Sequence, residues 1–198
     1  MIGKLRMEYH VSIFGNDTKS GTKNEPFRTI SKAAEVAQEG DRVIVHEGVY
    51  RECVSPKNGA RMSSGRIIYE AAENEKVVIK GSEVIRDWEQ IEDHVWTVKI
   101  SNDIFGGYNP YSDVIDGDWF MEPVGKLHTG QVYINDKALS EVSEKSEIKT
   151  TANTWHSEVY DDYTVFYANF EKYNPNEEII EINVRSSCFH PETMGINY

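Results

Sequence analysis

The predicted fold depends on residues 26–52, which read PFRTISKAAEVAQEGDRVIVHEGVYRE. Within this stretch Ile30, Ala33, Ala34 and Ala37 follow the i, i+3, i+4, i+7 spacing of an apolar helix face. That face consists mostly of methyl groups, and alanine has the best helix propensity and little bulk. We therefore expect a short helix that packs closely against the element it covers.

Thr29 and Gly40 mark the ends of this helix. The Thr29 hydroxyl is a suitable N-cap, and glycine adopts a positive φ at little cost after a helix end. The chain continues as VIV at 43–45, a β-branched run without alternation that is typical of a strand buried on both faces. It bends at 47–48 before a further strand begins at Val49. A bend this short fits either a hairpin or the corner of a solenoid.

Two more apolar segments follow, RIIY at 66–69 and KVVI at 76–79, and both predict buried strands. Val43 and Ile67 are 24 positions apart. This spacing lies within the repeat lengths at which stacked units bury a continuous core. The sequence therefore predicts two solenoid coils before residue 81.

From Trp88 onwards polar and apolar residues alternate, as in antiparallel strands that are buried on one side. Short strands are predicted at 88–91, 95–100, 131–139, 163–168 and 178–184, with a hairpin turn at Asn135-Asp136. Strands at this spacing favour a β-sandwich. The predicted organisation is a cap with the first coils over 7–83, an inserted β-sandwich-like domain over 84–178, and a return to the solenoid over 179–198.

The N-terminal motifs resemble those of right-handed parallel β-helix proteins that act on polysaccharides. They are YHVS at 9–12, GND at 15–17, GT at 21–22 and PFxTIxxAAxxAxxGDxVxVxxGxYxE from Pro26. In such proteins the short helix caps the open end of the solenoid. The resemblance implies an all-β fold: the start of a right-handed parallel β-helix with an N-terminal capping helix and the inserted β-sandwich-like domain.

Blocks in the second half resemble glycoside hydrolase family 120, the β-xylosidases. They are FGGYNPY at 105–111, GDW at 117–119, HxGxVYIN at 128–135, TxxYANF at 164–170, NPNE at 174–177 and EINVR at 181–185. The resemblance covers residues 7–198 and implies an exo-acting, retaining enzyme that cleaves xylo-oligosaccharides. It also implies that the aspartate nucleophile and the glutamate acid/base lie beyond residue 198, because no residue here matches their motifs. The 198-residue chain alone is then expected to be inactive.

Three residues are predicted to contact substrate: Trp119, Asp118 and His128. The ring of Trp119 offers a flat apolar wall to the C–H face of a pyranose, although it could instead anchor its loop on the sandwich. Asp118 could accept hydrogen bonds from sugar hydroxyls or serve as an ordinary turn residue. His128 could contact the sugar or be satisfied within a loop. Tyr108 and Tyr111 could line the rim of a pocket or pack into the core.

No catalytic residue is predicted within the chain. A retaining glycosidase needs two carboxyl groups about 5–5.5 Å apart. The carboxylates beside a turn glycine or an aromatic are Glu47, Glu52, Asp116 and Asp118. Proximity in sequence does not establish that two of them face each other, and among 33 acidic residues some pairs arise by chance.

No cofactor or metal ion is predicted either. Asn16, Asp17 and Asp41 supply oxygen ligands, but the sequence lacks the 12-residue loop of alternating ligands that binds calcium. Cys53 and Cys188 have neither a metal-type spacing nor a disulfide-dense framework, and we expect reduced, structural thiols.

The composition restricts the partners of the chain. A formal net charge of −12 repels nucleic-acid backbones and anionic membranes, so neither is expected to bind. No apolar run approaches the roughly 20 residues that span a bilayer. Residues 1–7 lack the apolar segment of a secretory signal, which predicts a cytoplasmic protein.

The sequence contains a candidate cap for one end of the solenoid only. An uncovered terminal coil exposes unpaired backbone groups, so we expect a longer chain or a homo-oligomer to cover the other end.

The sequence also allows two alternative functions. A polysaccharide lyase would need a Lys or Arg base beside an acidic sugar, which an acidic chain attracts poorly. A non-catalytic carbohydrate-binding or scaffolding module is the third alternative.

Overall fold

A computed structural model describes residues 6–60, 65–117 and 126–192. Over these residues the protein is mostly β, with fourteen strands, one α-helix and two short 3₁₀ helices. No helix in the described ranges is long and apolar enough to cross a membrane. The chain divides into two compact units: residues 6–81 with 187–192, and Ser82–Ser186.

The first unit contains two sets of parallel strands. Its elements are β1 (Glu8–Val11), α1 (Ile30–Val36), β2 (Arg42–Val45), β3 (Gly48–Arg51), β4 (Ile68–Ala71) and β5 (Val77–Lys80). Strands β1, β2 and β4 form a sheet in that order, and β3 pairs with β5. Because β2 and β3 pair with different strands, the bend at 47–48 is a corner between two sheets and not a hairpin.

The number of positions between paired residues on successive strands is larger than predicted. Val43 pairs with Tyr69, 26 positions later, whereas the sequence predicts an alignment with Ile67. Ile67 is buried although it precedes β4, while Ile68, the first residue of the strand, is 44% exposed. The apolar run therefore marks burial but does not mark which residues pair.

Helix α1 begins as predicted, with the Thr29 hydroxyl accepting a hydrogen bond from the Lys32 amide at 3.1 Å. The carboxylate of Glu52 adds a long-range cap, since its two oxygens accept from the amides of Ile30 and Ser31 at 3.0 and 2.7 Å. Amides of the first turn have no partner within the helix, so these bonds fix where the helix starts. Its buried residues are Ile30, Ala33 and Ala34.

The glycines of the N-terminal motifs make room for Phe27. A Cβ on Gly15 would lie 2.2 Å from the carbonyl oxygen of Phe27, and one on Gly21 would lie 2.3 Å from its ring. Gly21 also has a φ of +74°, which L side chains rarely adopt. The backbone of Phe27 thus leaves no room for a side chain at Gly15, and its buried ring leaves none at Gly21.

The second unit contains two largely antiparallel sheets. Its strands are β6 (Ser82–Val84), β7 (Glu89–Glu92), β8 (Val95–Ser101), β9 (Val132–Ile134), β10 (Lys137–Ala138), β11 (Ser140–Glu141), β12 (Thr154–Val159), β13 (Tyr163–Asn169) and β14 (Ile180–Asn183). The sheet orders are β11-β12-β13-β8-β7 and β10-β9-β14-β6. Asn135 and Asp136 both have positive φ between β9 and β10, so the predicted hairpin turn is confirmed.

Both sheets supply side chains to one core. Trp88 and Trp155 are buried there, and Trp96 packs against it. Tyr111 lies edge-on to Trp155 and Phe166, with ring centroids 5.5 and 4.6 Å apart. These aromatic contacts hold the segment before residue 117 against the core.

The structure differs from the sequence prediction at β14. The sequence places this segment in the returning solenoid, yet β14 pairs with β6 and β9 inside the second unit. Ile180 and Ile182 are fully buried, and the buried carboxylate of Glu181 accepts a hydrogen bond from the Ser82 hydroxyl at 3.1 Å. Alternation identifies a half-buried strand but not its partner strand, so the sequence did not reveal this pairing.

Candidate functional site

His128 and Glu141 form a tightly hydrogen-bonded pair in the second unit. The Glu141 carboxylate accepts from the backbone amide of His128 at 2.8 Å and lies 2.5 Å from the ring nitrogen Nδ1. The carboxylate side chain is 9% exposed and the imidazole 21%. A backbone contact and a side-chain contact to the same residue fix the position and the rotation of the imidazole.

This contact also fixes which nitrogen of His128 carries a proton. An ionised carboxylate only accepts hydrogen bonds, so Nδ1 must donate. In the neutral imidazole Nε2 is then an acceptor, and in the charged form it is a donor. Within the described residues Nε2 has no hydrogen-bond partner. The pair therefore leaves one polar atom of fixed orientation without a partner among the described residues.

An antiparallel stem positions His128. Val114 forms a bridge with His128, and the Ile115 amide donates to the carbonyl of Leu127 at 2.8 Å. The Thr129 amide donates to the carbonyl of Asp113 at 2.9 Å. In sequence, the two sides of this stem flank the segment that contains the GDW motif, so His128 lies close to one end of that segment.

A second cluster of polar side chains forms hydrogen bonds across the same stem. The carboxylate of Asp113 accepts from the hydroxyls of Tyr108 and Thr129 at 3.1 and 3.0 Å, and those two hydroxyls lie 2.9 Å apart. Successive residues of an extended chain point to opposite faces, so Thr129 and His128 face away from each other. This cluster therefore stabilises the stem and does not extend the His128 pair.

The structure describes one of the three residues that are predicted to contact substrate. His128 is described, whereas Asp118 and Trp119 lie outside the described residues. Of the two tyrosines whose placement was open, Tyr111 is 1% exposed and belongs to the core, and Tyr108 belongs to the Asp113 cluster.

The carboxylates considered for catalysis have other surroundings. Glu52 caps α1, while Glu47 and Asp116 are exposed.

The aspartates considered as calcium ligands, Asp17 and Asp41, accept hydrogen bonds from backbone amides in separate turns. Asp17 accepts from Arg28 and Thr29, and Asp41 accepts from Met7 and Gln38. Among the described residues no group of three or more His, Cys, Asp or Glu side chains is arranged to hold a metal ion.

Glu141 is the residue of the candidate site that sequence reasoning missed. It lies 13 positions after His128, in the two-residue strand β11, and no motif marks it among 33 acidic residues. The alternation around Leu139 predicts only that one side of this segment is buried. A pairing of this kind depends on strand positions that a single sequence does not specify.

The first unit has an open apolar cavity of about 640 Å³. It lies beside β4 and β5, and its lining includes Val45, Tyr69, Val77, Ile79 and Phe189. Strand β4 is at the edge of its sheet, and Ile68 there is partly exposed. This surface of the first unit has the apolar character of a core.

Comparisons with known proteins match both halves of the chain. Residues 85–154 match the model described as glycoside hydrolase 120, insertion domain. Residues 13–81 match a family of unknown function, DUF1565. An uncharacterized protein of Bacillus subtilis (strain 168), YwoF, is 41% identical over 76 residues, which is 38% of this chain and 16% of YwoF.

A solved structure described as the complex of XylC with xylose is similar over almost the entire chain. The match covers 97% of this chain with 44% sequence identity and a TM-score of 0.91. It covers 34% of XylC, so this chain spans about a third of that protein's length. The resemblance to glycoside hydrolase family 120 is thereby confirmed: the chain contains the insertion domain of that family, and it has the fold of the matching third of XylC.

Proposed function

We propose that this chain is the N-terminal region of an exo-acting glycoside hydrolase of the β-xylosidase type, which releases xylose from xylo-oligosaccharides. The observation that carries the proposal is the 44% identity to XylC, a protein solved with xylose, over 97% of this chain. The insertion domain within residues 85–154 supports the same family.

The two catalytic carboxyl groups are supplied from outside these residues. XylC is about three times as long as this chain, so a protein of that length has further residues that can supply the two carboxyl groups. Within the described part, Glu52 is committed to the start of α1 and Glu141 to His128. Both oxygens of each carboxylate are already engaged by structural partners, so neither is presented as a free nucleophile.

In this proposal the stem that contains His128 contributes one wall of the sugar pocket, and Glu141 orients the imidazole in it. Nε2 of His128 accepts a hydrogen bond from a xylose hydroxyl, because Nδ1 is already committed to Glu141. Trp119 packs its ring against the C–H face of the sugar, and Asp118 accepts from a second hydroxyl. The pair thus orients the substrate and takes no part in bond cleavage.

We further propose that the first unit begins a right-handed parallel β-helix with α1 as its cap. Parallel pairing of β2 with β4 and of β3 with β5, joined by a corner, fits successive coils. The apolar cavity beside β4 and β5 and the free edge of β4 fit a surface that a following coil covers. The second unit is then a β-sandwich inserted between the first coils and later ones.

The proposal is tested by assaying xylose release from xylobiose and from an aryl β-xyloside. The assay compares residues 1–198 with a polypeptide that continues past Tyr198. Release by the longer polypeptide alone is the expected result. Turnover by residues 1–198 would overturn the placement of the catalytic pair, and calorimetric binding of xylobiose without turnover by either protein would indicate a binding module instead of an enzyme.

A further inference from the structure

Cys53 and Cys188 lie opposite each other in the first unit, although they are 135 positions apart in sequence. Val54 forms a parallel bridge with Phe189. The Val54 amide donates to the carbonyl of Cys188 at 2.9 Å, and the His190 amide donates to the carbonyl of Val54 at 2.8 Å. Each cysteine immediately precedes a bridged residue, so the two occupy matching positions on neighbouring parallel segments.

This register satisfies the main requirement for a disulfide. Neighbouring strands lie about 4.7–4.9 Å apart, and disulfide-linked residues have Cα atoms about 4.4–6.8 Å apart. Side chains at matching positions of a parallel pair point to the same side of the sheet. The Sγ atom of Cys53 lies 3.5 Å from the hydroxyl of Ser187, so this thiol contacts the neighbouring segment at the residue before Cys188.

The surroundings of both thiols permit oxidation. Cys53 and Cys188 are free and half-buried, so a small oxidant can reach them. The contacts of Cys53 are the hydroxyls of Ser55 and Ser187, which are polar and can move aside. A thiol packed in an apolar core would have neither property.

We propose that Cys53 and Cys188 are a redox-active pair that low-molecular-weight disulfides convert into an intramolecular disulfide. The thiolate of one cysteine attacks a sulfur of oxidised glutathione, forms a mixed disulfide and releases one glutathione thiolate. The second cysteine then attacks the protein sulfur of that mixed disulfide and releases the second glutathione. The protein loses two hydrogen atoms as the S–S bond forms, and one oxidised glutathione becomes two reduced molecules.

The bond joins the two segments between which the whole second unit is inserted. A crosslink restricts the unfolded chain more strongly as the loop it closes grows, and this loop contains most of the sequence. Oxidation is therefore expected to stabilise the first unit against unfolding. The sequence predicts two reduced thiols because nothing in a spacing of 135 residues indicates that they meet.

The test exposes dilute protein to oxidised glutathione and counts free thiols under denaturing conditions. The expected result is a fall from two thiols to none, a mass loss of two hydrogen atoms and a single crosslinked peptide that contains both cysteines. The oxidised form should have a higher melting temperature than the reduced form. Cys188→Ser should abolish this difference and leave Cys53 as a stable glutathione adduct.

Two results would overturn the proposal. One is glutathione attached separately to both cysteines of the native protein, since that shows that the second thiol cannot reach the first. The other is disulfide-linked dimers at low protein concentration without the intramolecular peptide. Cys53→Ser serves as the matched control, because it must give the adduct at Cys188 with the same change in mass.

Discussion

Nδ1 of His10, on β1, lies 3.0 Å from Nε2 of His46, the residue that follows β2, so two imidazoles from neighbouring segments meet through their ring nitrogens. The two ring planes are within 18° of each other and their centroids are 5.2 Å apart, so the rings meet edge to edge. Their outer nitrogens face carboxylates: His10 Nε2 lies 3.2 Å from Glu8, and His46 Nδ1 lies 3.1 Å from Glu75. The four side chains form one continuous row across the first unit.

The row constrains the number of protons on the two rings. Ionised carboxylates only accept hydrogen bonds, so both outer nitrogens must carry a proton. The contact between the inner nitrogens needs one more proton, because two facing lone pairs repel each other. All three contacts can be made together only when one ring is an imidazolium and the other a neutral imidazole.

We predict that three of the four ring nitrogens of His10 and His46 carry a proton. A long-range ¹H–¹⁵N correlation spectrum measures this directly, and the exposed His94 provides a reference in the same spectrum. His46→Gln should remove the shared proton and change the spectrum of His10. Two neutral rings, with two protonated nitrogens in total, would contradict the prediction.

Asp41 is expected to be the most sensitive carboxylate of the first unit. It is 2% exposed and accepts from the amides of Met7 and Gln38 at 2.9 and 2.8 Å. Asp41→Ala leaves two amides without their acceptor and should lower the free energy of unfolding by about 3 kcal/mol. Chemical denaturation measures the change, and Asp161→Ala, in an exposed turn, should cost no more than about 0.5 kcal/mol.

Tyr111 and Tyr108 allow the stability contribution of a buried tyrosine hydroxyl to be compared with that of a less buried one. The buried Tyr111 hydroxyl donates to the carbonyl of Gln131 at 2.9 Å and contacts Asn183 at 3.1 Å. Burial raises the pKa of this phenol well above its ordinary value. Tyr111→Phe should therefore cost about 1–2 kcal/mol in stability, whereas Tyr108→Phe should cost less than about 0.5 kcal/mol. Equal losses in thermal denaturation would contradict this assignment.

Glu158 should make stability depend on acidic pH. Burial alone would raise the pKa of this carboxyl, but the positive charge of Lys145 and hydrogen bonds from Tyr167 and Tyr160 outweigh it and lower the pKa. A lowered pKa means that the ionised form stabilises the fold above the ordinary carboxyl range, and this contribution is lost as pH falls through the folded-state pKa.

Glu158→Gln should accordingly reduce stability at neutral pH by about 1 kcal/mol or less, because the pair is partly exposed. The difference from the unchanged protein should shrink as the pH is lowered below the ordinary range of carboxyl groups. Urea denaturation at several pH values tests this, with Glu177→Gln as an exposed control. A difference that stays constant at acidic pH would exclude the proposed electrostatic origin.

Local features of the fold could be predicted from the sequence because short-range physics determines them. The apolar spacing from Ile30, the Thr29 cap and the Asn135-Asp136 turn each depend on a few consecutive residues, and all three occur in the structure. The strands that begin at Val95 and Tyr163 followed from alternation in the same way. Such signals need no knowledge of the partner element.

The features that could not be predicted depend on which distant segments meet. The alignment of Val43 with Tyr69, the placement of β14 and the pairing of His128 with Glu141 are all of this kind. Burial patterns give the face of a strand but leave its partner and register open to several solutions. The candidate site was therefore predicted at His128 but not at the carboxylate that orients it.

The last prediction concerns Glu141→Gln, which changes the chemistry of His128 with little change in size. The amide oxygen of glutamine can still accept from the His128 backbone amide, but its NH₂ group would face Nδ1 and donate to it. His128 would then carry its proton on Nε2, which becomes a donor where the proposed sugar contact needs an acceptor. We expect the affinity for xylose, measured by calorimetry on the polypeptide that shows activity, to fall about tenfold, the equivalent of one hydrogen bond. The melting temperature should change little, and Glu178→Gln should leave the affinity unchanged. Full affinity in a folded Glu141→Gln protein would show that His128 does not contact the sugar, whatever the outcome of the turnover assay.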